Sequence, residues 1–408
     1  MKRLLLINVS CNKGSTGRIS EQIGCVAKDR GWDVYFAHGS RYIAKSQLKT
    51  IEVGSKAQDY FHAFYYDKLL GKDGLGSSSA TKALIKQIDS ISPDIVHLHN
   101  IHGYYINYKI LFEYLNSKRI HVVWTLHDCW CFTGGCTFLN YMRCEQWKTG
   151  CASCPLKGGF PHHSLMNRKQ FTYTLKKDLF AKNDNVTLVP VSYWLEGLVK
   201  QSFFASADVL TIHNGVDVNV FKPYNSNDYT YEKYQIPHKQ IVLGVASPWS
   251  ARKGLDDFIK LSEKLNDDYH VVLVGLSKQQ IDMLPNCMTG IERTDSAEEL
   301  AKLYSAATVY VNPTYSDNFP TTNIESLASG TPVITYNTGG SPEAIDEQSG
   351  FVVEKGDVKG LLKAIYNVGG LGNDVKNYCR GRALRYFNKD NCFNSYMELY
   401  DKMMEKLI

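Results

Sequence analysis

Along nearly the whole of this chain, short runs of β-branched and other apolar residues alternate with stretches of helical periodicity. No other feature restricts the available folds as strongly. The runs occupy 4–10 (LLLINVS), 33–39 (DVYFAHG), 95–100 (IVHLHN), 121–128 (HVVWTLHD), 186–192 and 209–215, then 241–247 (IVLGVAS), 270–276 (HVVLVGL), 308–315, 331–337 and 351–354. Strands that are apolar throughout are buried on both faces, so the expected class is α/β, with doubly wound parallel sheets covered by helices. With 408 residues the chain exceeds one typical domain, and two domains are expected. Ligands in such sheets gather at the carboxyl ends of strands, so the residues just after each run are the ones to read for chemistry.

Hydrophobic residues make up 44% of the chain and charged ones 21%, the balance of a soluble globular protein. The net charge of +5 is mild. It suits phosphate-bearing substrates or an anionic membrane surface and does not signal a nucleic-acid binder. The opening MKRLLLINVSCNKGS has a short apolar run and no small-residue cleavage site, which fits a first strand better than a signal peptide. No run approaches the roughly 20 apolar residues of a spanning helix. The expected location is cytoplasmic, with peripheral attachment at the cytoplasmic face of the inner membrane left open. An odd count of 11 cysteines without a signal argues against a disulfide framework.

The stretch Tyr315–Ile334, YSDNFPTTNIESLASGTPVI, reads as a strand end, a sharp turn and a helix opening at Pro320. The N–H groups of Thr321 and Thr322 then point out of the helix start with its positive dipole end, a site suited to a diphosphate. Asp317 and Glu325 bracket the turn. Arg252 and Lys253 follow another strand, where two adjacent cations neutralise a departing diphosphate. Gly14-Ser15-Thr16-Gly17 leads into a helix carrying Ile19, Ile23, Val26 and Ala27, and Gly31 offers a left-handed stop.

Residues 60–66 (YFHAFYY) are expected to pack inward, with an acceptor-side or membrane-facing role as the other reading, and 71–79 (GKDGLGSSS) reads as a mobile loop. His97 and His99 at strand period, with His102 beyond, suit structural or substrate-lining roles better than metal ligation, because no carboxylate follows at ligand spacing. His127 and Asp128 end the next strand. Cys136, Cys144, Cys151 and Cys154 follow as C-x7-C-x6-C-x2-C, and four thiolates would close a structural zinc tetrahedron. At the end, Phe393, Tyr396, Met397, Tyr400, Met403, Met404 and Leu407 make an amphipathic helix.

The segment around Asp317 and Glu325 resembles the acid-x7-acid motif of retaining glycosyltransferase family 4, whose first acid is usually Glu followed by Phe-Gly. Here Asp317 and Phe319-Pro320 replace them. The segment WTLHDCW…TGGC…CxxC is similar to one in bacterial transferases of capsule, exopolysaccharide or lipopolysaccharide assembly. The resemblance implies the GT-B fold: two Rossmann-like domains facing a cleft, with a terminal helix crossing back to the first.

On that reading residues 1–218 form an acceptor-binding domain with a Cys-rich insertion at 129–160, and 219–385 the nucleotide-sugar domain. Residues 386–408 form the crossover helix. The resemblance places His127 beside the anomeric carbon with Asp128 orienting it. It sets Gly14, Ser15, Thr16 and Gly17 against donor phosphate and acceptor, and Asn318, Phe319, Pro320, Thr321 and Thr322 on the donor. Arg293, in GIERTD, falls in the base-lining segment, and 339–343 (GGSPE) closes the donor pocket.

The implied activity is metal-independent, retaining hexosyl transfer from a UDP- or GDP-sugar to a glycan or polyprenyl-linked acceptor in surface polysaccharide biosynthesis. No Asp-x-Asp pair is present to hold a diphosphate through metal. No cofactor is expected for catalysis. The alternative is a non-catalytic nucleotide-sugar-binding or scaffold subunit.

Overall fold

The computed structural model describes residues 1–142, 144–154, 165–181, 184–225, 228–371 and 374–405. The chain divides into two compact units, Met1–His213 with Phe393–Ile408, and Asn214–Cys392.

The first unit holds a seven-stranded parallel sheet: β1 (Arg3–Asn8), β2 (Asp33–Gly39), β3 (Lys49–Val53), β4 (Ile95–Leu98), β5 (His121–Leu126), β6 (Val186–Pro190) and β7 (Asp208–Val209), in the order β3-β2-β1-β4-β5-β6-β7. Strands β1, β4, β5 and β6 are almost wholly buried, which is why their sequences show no polar alternation. The helix Gly14–Asp29 buries Ile19, Ile23 and Ala27, and Gly31 follows it at φ +83°. Asn107 and Ser192 cap the helices Tyr108–Lys118 and Tyr193–Gln201 through their side chains.

The second unit holds a six-stranded parallel sheet: β8 (Gln240–Val245), β9 (Tyr269–Val274), β10 (Met288–Ile291), β11 (Val309–Asn312), β12 (Val333–Tyr336) and β13 (Gly350–Val353), in the order β10-β9-β8-β11-β12-β13. Phe258, Leu261, Leu361 and Ile365, all buried, pack helices Leu255–Ser262 and Val358–Tyr366 into the core with strand residues such as Val242 and Ile334. Each fully buried aliphatic side chain contributes about 1.5–3 kcal/mol. Both sheets reverse their strand order about the first strand, between β1 and β4 and between β8 and β11. Those are the points where doubly wound sheets open a crevice.

The terminal helix Lys389–Glu405 buries Phe393, Tyr396, Met397, Tyr400 and Met403, while Met404 is half-exposed and Leu407 lies outside the described residues. It docks on the first unit. Tyr400 packs on Trp32 with ring centroids 5.6 Å apart, and Lys2 pairs with Asp401 at 2.7 Å.

Two expectations about the region after β3 are corrected. The aromatic run does not pack inward as a group: it lies on helix Lys56–Phe61 and its π-helical continuation His62–Leu69, with Tyr60, Phe61, Phe64 and Tyr65 exposed. His62 of the same run is buried, so the wide turn directs only part of the segment inward. Nor does 71–79 stand as a loop free of the core. Asp73 is buried and accepts a 2.7 Å hydrogen bond from Trp130 Nε1, which pins the loop to the core.

Candidate functional site

In the second unit the loops after β8 and β11 carry the predicted cations and the first predicted acid. Arg252 and Lys253 sit on a tight turn, Ala251–Lys253. Lys253 Nζ lies 2.6 Å from Asp317 Oδ2, with both side chains about one-fifth exposed (20% and 18%). Arg252 Nη1 donates to the Ser316 carbonyl at 2.6 Å, and the Tyr315 N–H donates to the Arg252 carbonyl at 2.7 Å. Close approach of these loops needs glycine. Gly254 has φ +79°, and a Cβ there would lie 2.2 Å from the Pro313 carbonyl oxygen. Gly339 has φ +56°, and its Cβ would lie 1.7 Å from the Asp317 carbonyl oxygen. The other Asp317 oxygen, Oδ1, accepts the Asn318 N–H at 3.0 Å.

Pro320 stands at the N-cap (φ −70°, ψ 118°), so the helix opens at Thr321, one residue later than expected. A β-region ψ at Pro320 cannot continue a helical turn, and no side chain caps the helix. Its first N–H groups keep the anion-binding character of a helix start. Glu325 lies one turn in and accepts the Tyr304 hydroxyl at 3.3 Å. Burial and the Glu325 charge push that phenol's pKa well above its ordinary value. Asn318 and Phe319 are buried, Phe319 against Phe387 at 5.9 Å between ring centroids. Arg293 is exposed on the loop after β10. Gly340 caps the short turn Ser341–Ala344, which includes Glu343. Among the described residues the buried hydroxyls of Ser316 and Ser341 have no hydrogen-bond partner, an arrangement folded proteins keep rare.

In the first unit the loops after β1, β4 and β5 meet. The Asn100 N–H donates to Asn8 Oδ1 at 3.1 Å, joining the first two. Gly14 to Gly17 form the first turn of the helix after β1, with Gly14 and Ser15 exposed, Thr16 half-buried and Gly17 buried. Four histidines and a carboxylate gather beside them, with His97 and His99 buried and His102, His127 and Asp128 half-buried. His99 Nδ1 and His127 Nε2 share a hydrogen bond of 3.0 Å, and their rings stack at 5.3 Å. His97 bonds the Tyr400 hydroxyl at 2.6 Å and Thr125 Oγ1 at 2.7 Å, so it faces protein on both sides.

Asp128 is held on both of its oxygens. Its Oδ2 pairs with His102 Nε2 at 2.8 Å, and its Oδ1 accepts the Trp130 N–H at 2.8 Å. His127 and Asp128 lie on the bend just past the end of β5, where His127 meets His99 and Asp128 meets His102. His99, Asn100, His102, His127, Asp128 and Trp130 line a small cavity there.

Burial holds the pKa of His127 down to about 4 and that of His97 to about 3. His99 is depressed well below its ordinary value by burial and by the two neighbouring imidazoles. These rings are neutral near pH 7. For His102 burial opposes charge, but the Asp128 carboxylate outweighs it and the pKa rises. Partial burial opposes charge on Asp128 too, yet His102 holds its carboxyl below the usual range.

Lys176 and Asp73 belong to this region and carry no motif. Lys176 is wholly buried, with Nζ 3.3 Å from the centroid of the Trp130 ring, and donates to the carbonyls of Trp130 at 2.8 Å and Thr133 at 3.2 Å. Burial lowers its pKa to about 8. The signal was available in the spacing: Lys169, Thr172, Tyr173, Lys176 and Phe180 share the buried face of one helix.

The four candidate zinc ligands gather in one neighbourhood, since Cys136 feels the charges of Cys144, Cys151 and Cys154. The Gly134 N–H also donates to Cys151 Sγ at 3.3 Å. Burial raises the Cys136 pKa to about 12, which keeps it a thiol. Among the described residues no group of three or more His, Cys, Asp or Glu side chains is arranged to hold a metal ion. The zinc reading is therefore not carried by this geometry, and residues 155–160 of the expected insertion lie outside the described residues.

Two parallel-sheet Rossmann-like units, with cations and an acid at the switch point of the second, have the GT-B fold. Residues 239–368, most of the second unit, match the family described as Glycosyl transferases group 1. WcaC of Escherichia coli (strain K12), provisionally named as a colanic acid biosynthesis glycosyl transferase, is 22% identical over 314 residues, 72% of each chain. Among solved structures, sucrose-phosphate synthase from Thermosynechococcus elongatus superposes with a TM-score of 0.74 at 18% identity, covering 100% of both chains. HepE of Anabaena, solved in complex with UDP, superposes with a TM-score of 0.69 at 14% identity, covering 98% of this chain and 100% of its own.

Proposed function

We propose that this glycosyltransferase moves a hexose from a nucleoside-diphosphate sugar to a glycan or polyprenyl-linked acceptor, with retention of anomeric configuration, in surface polysaccharide biosynthesis at the cytoplasmic face of the inner membrane. The observation that carries this reading is the Lys253–Asp317 pair at the switch point of the second sheet, beside Arg252 and an uncapped helix start. The UDP complex of HepE supports a uridine donor, and the name of WcaC supports a polysaccharide product.

In this mechanism Arg252, Lys253 and the N–H groups of Thr321 and Thr322 stabilise the charge that grows on the departing diphosphate. Lys253 is already held by Asp317, so it needs little reorganisation to serve both a sugar-bound carboxylate and a phosphate oxygen. Asp317 binds donor hydroxyls, and Glu325, a turn into the helix, accepts hydrogen bonds from the ribose. Asn318, Phe319 and Pro320 shape the donor turn, and Arg293 sits at the base. His127, neutral and oriented by His99, contacts the donor sugar, and Gly14 to Gly17 bring backbone toward phosphate and acceptor. Departure and attack take place on the same face of the sugar, because no carboxylate is assigned as a nucleophile of the kind retaining glycosidases use. The cations do the work a metal would do in charge neutralisation, so the transfer runs without one.

The test is calorimetric titration with UDP, GDP and ADP, without added metal, for the wild type and Arg252→Ala. Binding of one nucleotide, weakened in the variant, is expected. A folded wild type that binds none of the three overturns the assigned pocket and moves the scaffold reading forward.

A further inference from the structure

The helix that follows β3 is built inside out for a small protein domain. Tyr60, Phe61, Phe64 and Tyr65 are 64%, 59%, 58% and 42% exposed. Tyr60 and Phe61 end the α-helical part and Phe64 and Tyr65 lie on the π-helical continuation, where positions four and five apart share a face, and the four rings form an outward stripe. Phe61 and Tyr65 stack on each other at 5.3 Å with their planes 11° apart. Two other segments extend this face. Arg41 lies 5.8 Å from the Tyr60 ring, and Tyr42 beside it is 64% exposed. At the other end the Leu165 N–H donates to the Lys68 carbonyl at 2.8 Å, and the Leu165 side chain is 79% exposed. Scattered exposed apolar residues need no explanation, but four rings on one helix face, with exposed apolar side chains on two neighbouring segments, mark an interaction surface.

The charges on the helix say what covers it. Between Gly54 and Lys72 the two acids turn inward. Asp59 is buried and accepts Ser40 Oγ at 2.8 Å with Arg41 Nε at 3.4 Å, and Asp67 is buried and accepts the Tyr104 hydroxyl at 3.0 Å. The cations Lys56 and Lys68 turn outward at the two ends of the stripe. The exposed carboxylate nearest in sequence, Glu52, belongs to β3 and lies outside the helix. An apolar aromatic stripe flanked, among the described residues, by Arg41 and outward-facing lysines complements an anionic lipid surface, where rings enter the headgroup boundary and cations meet phosphates. Tyr and Phe suit that boundary because their bodies are apolar, and the Tyr tips stay wet.

We infer that the face formed by Tyr60, Phe61, Phe64 and Tyr65, with Tyr42 and Leu165 at its edges, docks the first unit on an anionic bilayer. The inference deepens the proposed function, on which it rests for its setting: it names the surface that would hold the enzyme where a lipid-linked acceptor is presented. Among the described residues no helix is long and apolar enough to cross a membrane. Attachment through this stripe is interfacial.

The experiment is co-sedimentation of the full chain with vesicles of phosphatidylglycerol and phosphatidylethanolamine, and with phosphatidylcholine vesicles, at low and moderate salt. The wild type is expected to bind the anionic vesicles and to prefer them over the neutral ones. Phe61→Ser with Phe64→Ser is expected to lower binding at least about ten-fold. Lys56→Gln and Lys68→Gln should each lower it about five-fold and remove part of the salt dependence. All four side chains are exposed, and Tyr60→Ser gives an independent single change should the double variant lose its fold by circular dichroism.

Failure of the wild type to bind anionic vesicles at low salt overturns the inference, as does undiminished binding by folded serine variants. Self-association abolished by the double variant without any vesicle binding overturns it too and assigns the face to a second copy. UDP titration of the same variants separates the two readings. Nucleotide affinity is expected to stay at the wild-type value when vesicle binding is lost. A wild type that binds vesicles and no nucleotide sinks the proposed function alone.

Discussion

The strand ends of the two sheets solve opposite problems with similar scaffolds. At the end of the first sheet, His97 and His99 are fully buried, His102, His127 and Asp128 are half-buried, and the five hold one another through imidazole–imidazole and imidazole–carboxylate contacts, with His99 Nε2 unpartnered among the described residues. At the end of the second, a single ion pair, Lys253–Asp317, is about as exposed as His102–Asp128, and among the described residues the hydroxyls of Ser316 and Ser341 have no partner. A cluster whose members bind one another is closed: it fixes geometry and resists change. A lone pair beside unpartnered hydroxyls keeps interactions in reserve for a ligand. The first sheet's cluster should therefore respond to perturbation mainly in stability, and the second sheet's mainly in binding and turnover.

Acid gives the largest expected contrast. His97, His99 and His127 have folded pKa values depressed below the unfolded value near 6.5. Their contribution is complete above about pH 6.5 and is lost as pH falls toward the folded values, at about 1.4 kcal/mol per pH unit for each. His102, with a raised pKa, works in the opposite sense, losing its contribution as pH rises through its folded value. Three against one leaves a net loss. Urea unfolding at pH 7.0, 6.0 and 5.0 should show it, and a flat profile would break the closed-cluster reading.

Asp128→Ala comes next. It strands His102 and removes a bond to the Trp130 N–H, at an expected cost of about 3–5 kcal/mol in unfolding free energy by the same urea titration. In the second sheet Lys253→Ala should leave stability nearly unchanged and reduce turnover about 10²–10³-fold once a donor is identified. A variant whose thermal midpoint collapses would show that the pair is a brace.

The smallest effect is expected from Lys176→Met, which leaves two buried carbonyls without their donor and should cost about 1–3 kcal/mol. It has a second signature. The wild-type lysine has a depressed folded pKa, so the wild type gains stability as pH rises from about 8 toward its unfolded value, and the variant should not. Metal analysis of protein purified without chelator decides separately whether the four cysteines hold zinc, with about one equivalent per chain expected if they do.

What the sequence made legible follows physical scale. The fully buried strands announced themselves because burial on both faces leaves no room for polar residues. β3 and β10 did not: KTIEV is an edge strand with mostly exposed positions, and MTGI is short, with a half-buried glycine at the edge. The cation pair and Asp317 could be read because each follows an apolar run, which is where a parallel sheet presents its chemistry. The partner of Asp128 could not, since nothing local says that a loop histidine after β4 will arrive 2.8 Å away. The aromatic run was misjudged for a similar reason. Composition alone does not tell a core from an interface, and here the deciding fact is which face of the helix the rest of the first unit covers: Asp59, His62 and Asp67 are buried and the four rings are not.

The terminal helix has a consequence in time. His97 and Thr125 hydrogen-bond to Tyr400 and Tyr396, and Trp32 packs on Tyr400. During synthesis these early residues leave the ribosome hundreds of positions before their partners. Domains ordinarily fold as they emerge, first part first. This chain reverses that order for one half: the middle of the sequence can close its own sheet while the first unit still waits with an open seam. The last helix is the keystone, and a nascent chain halted before residue 393 would hold a finished second unit beside an unfinished first.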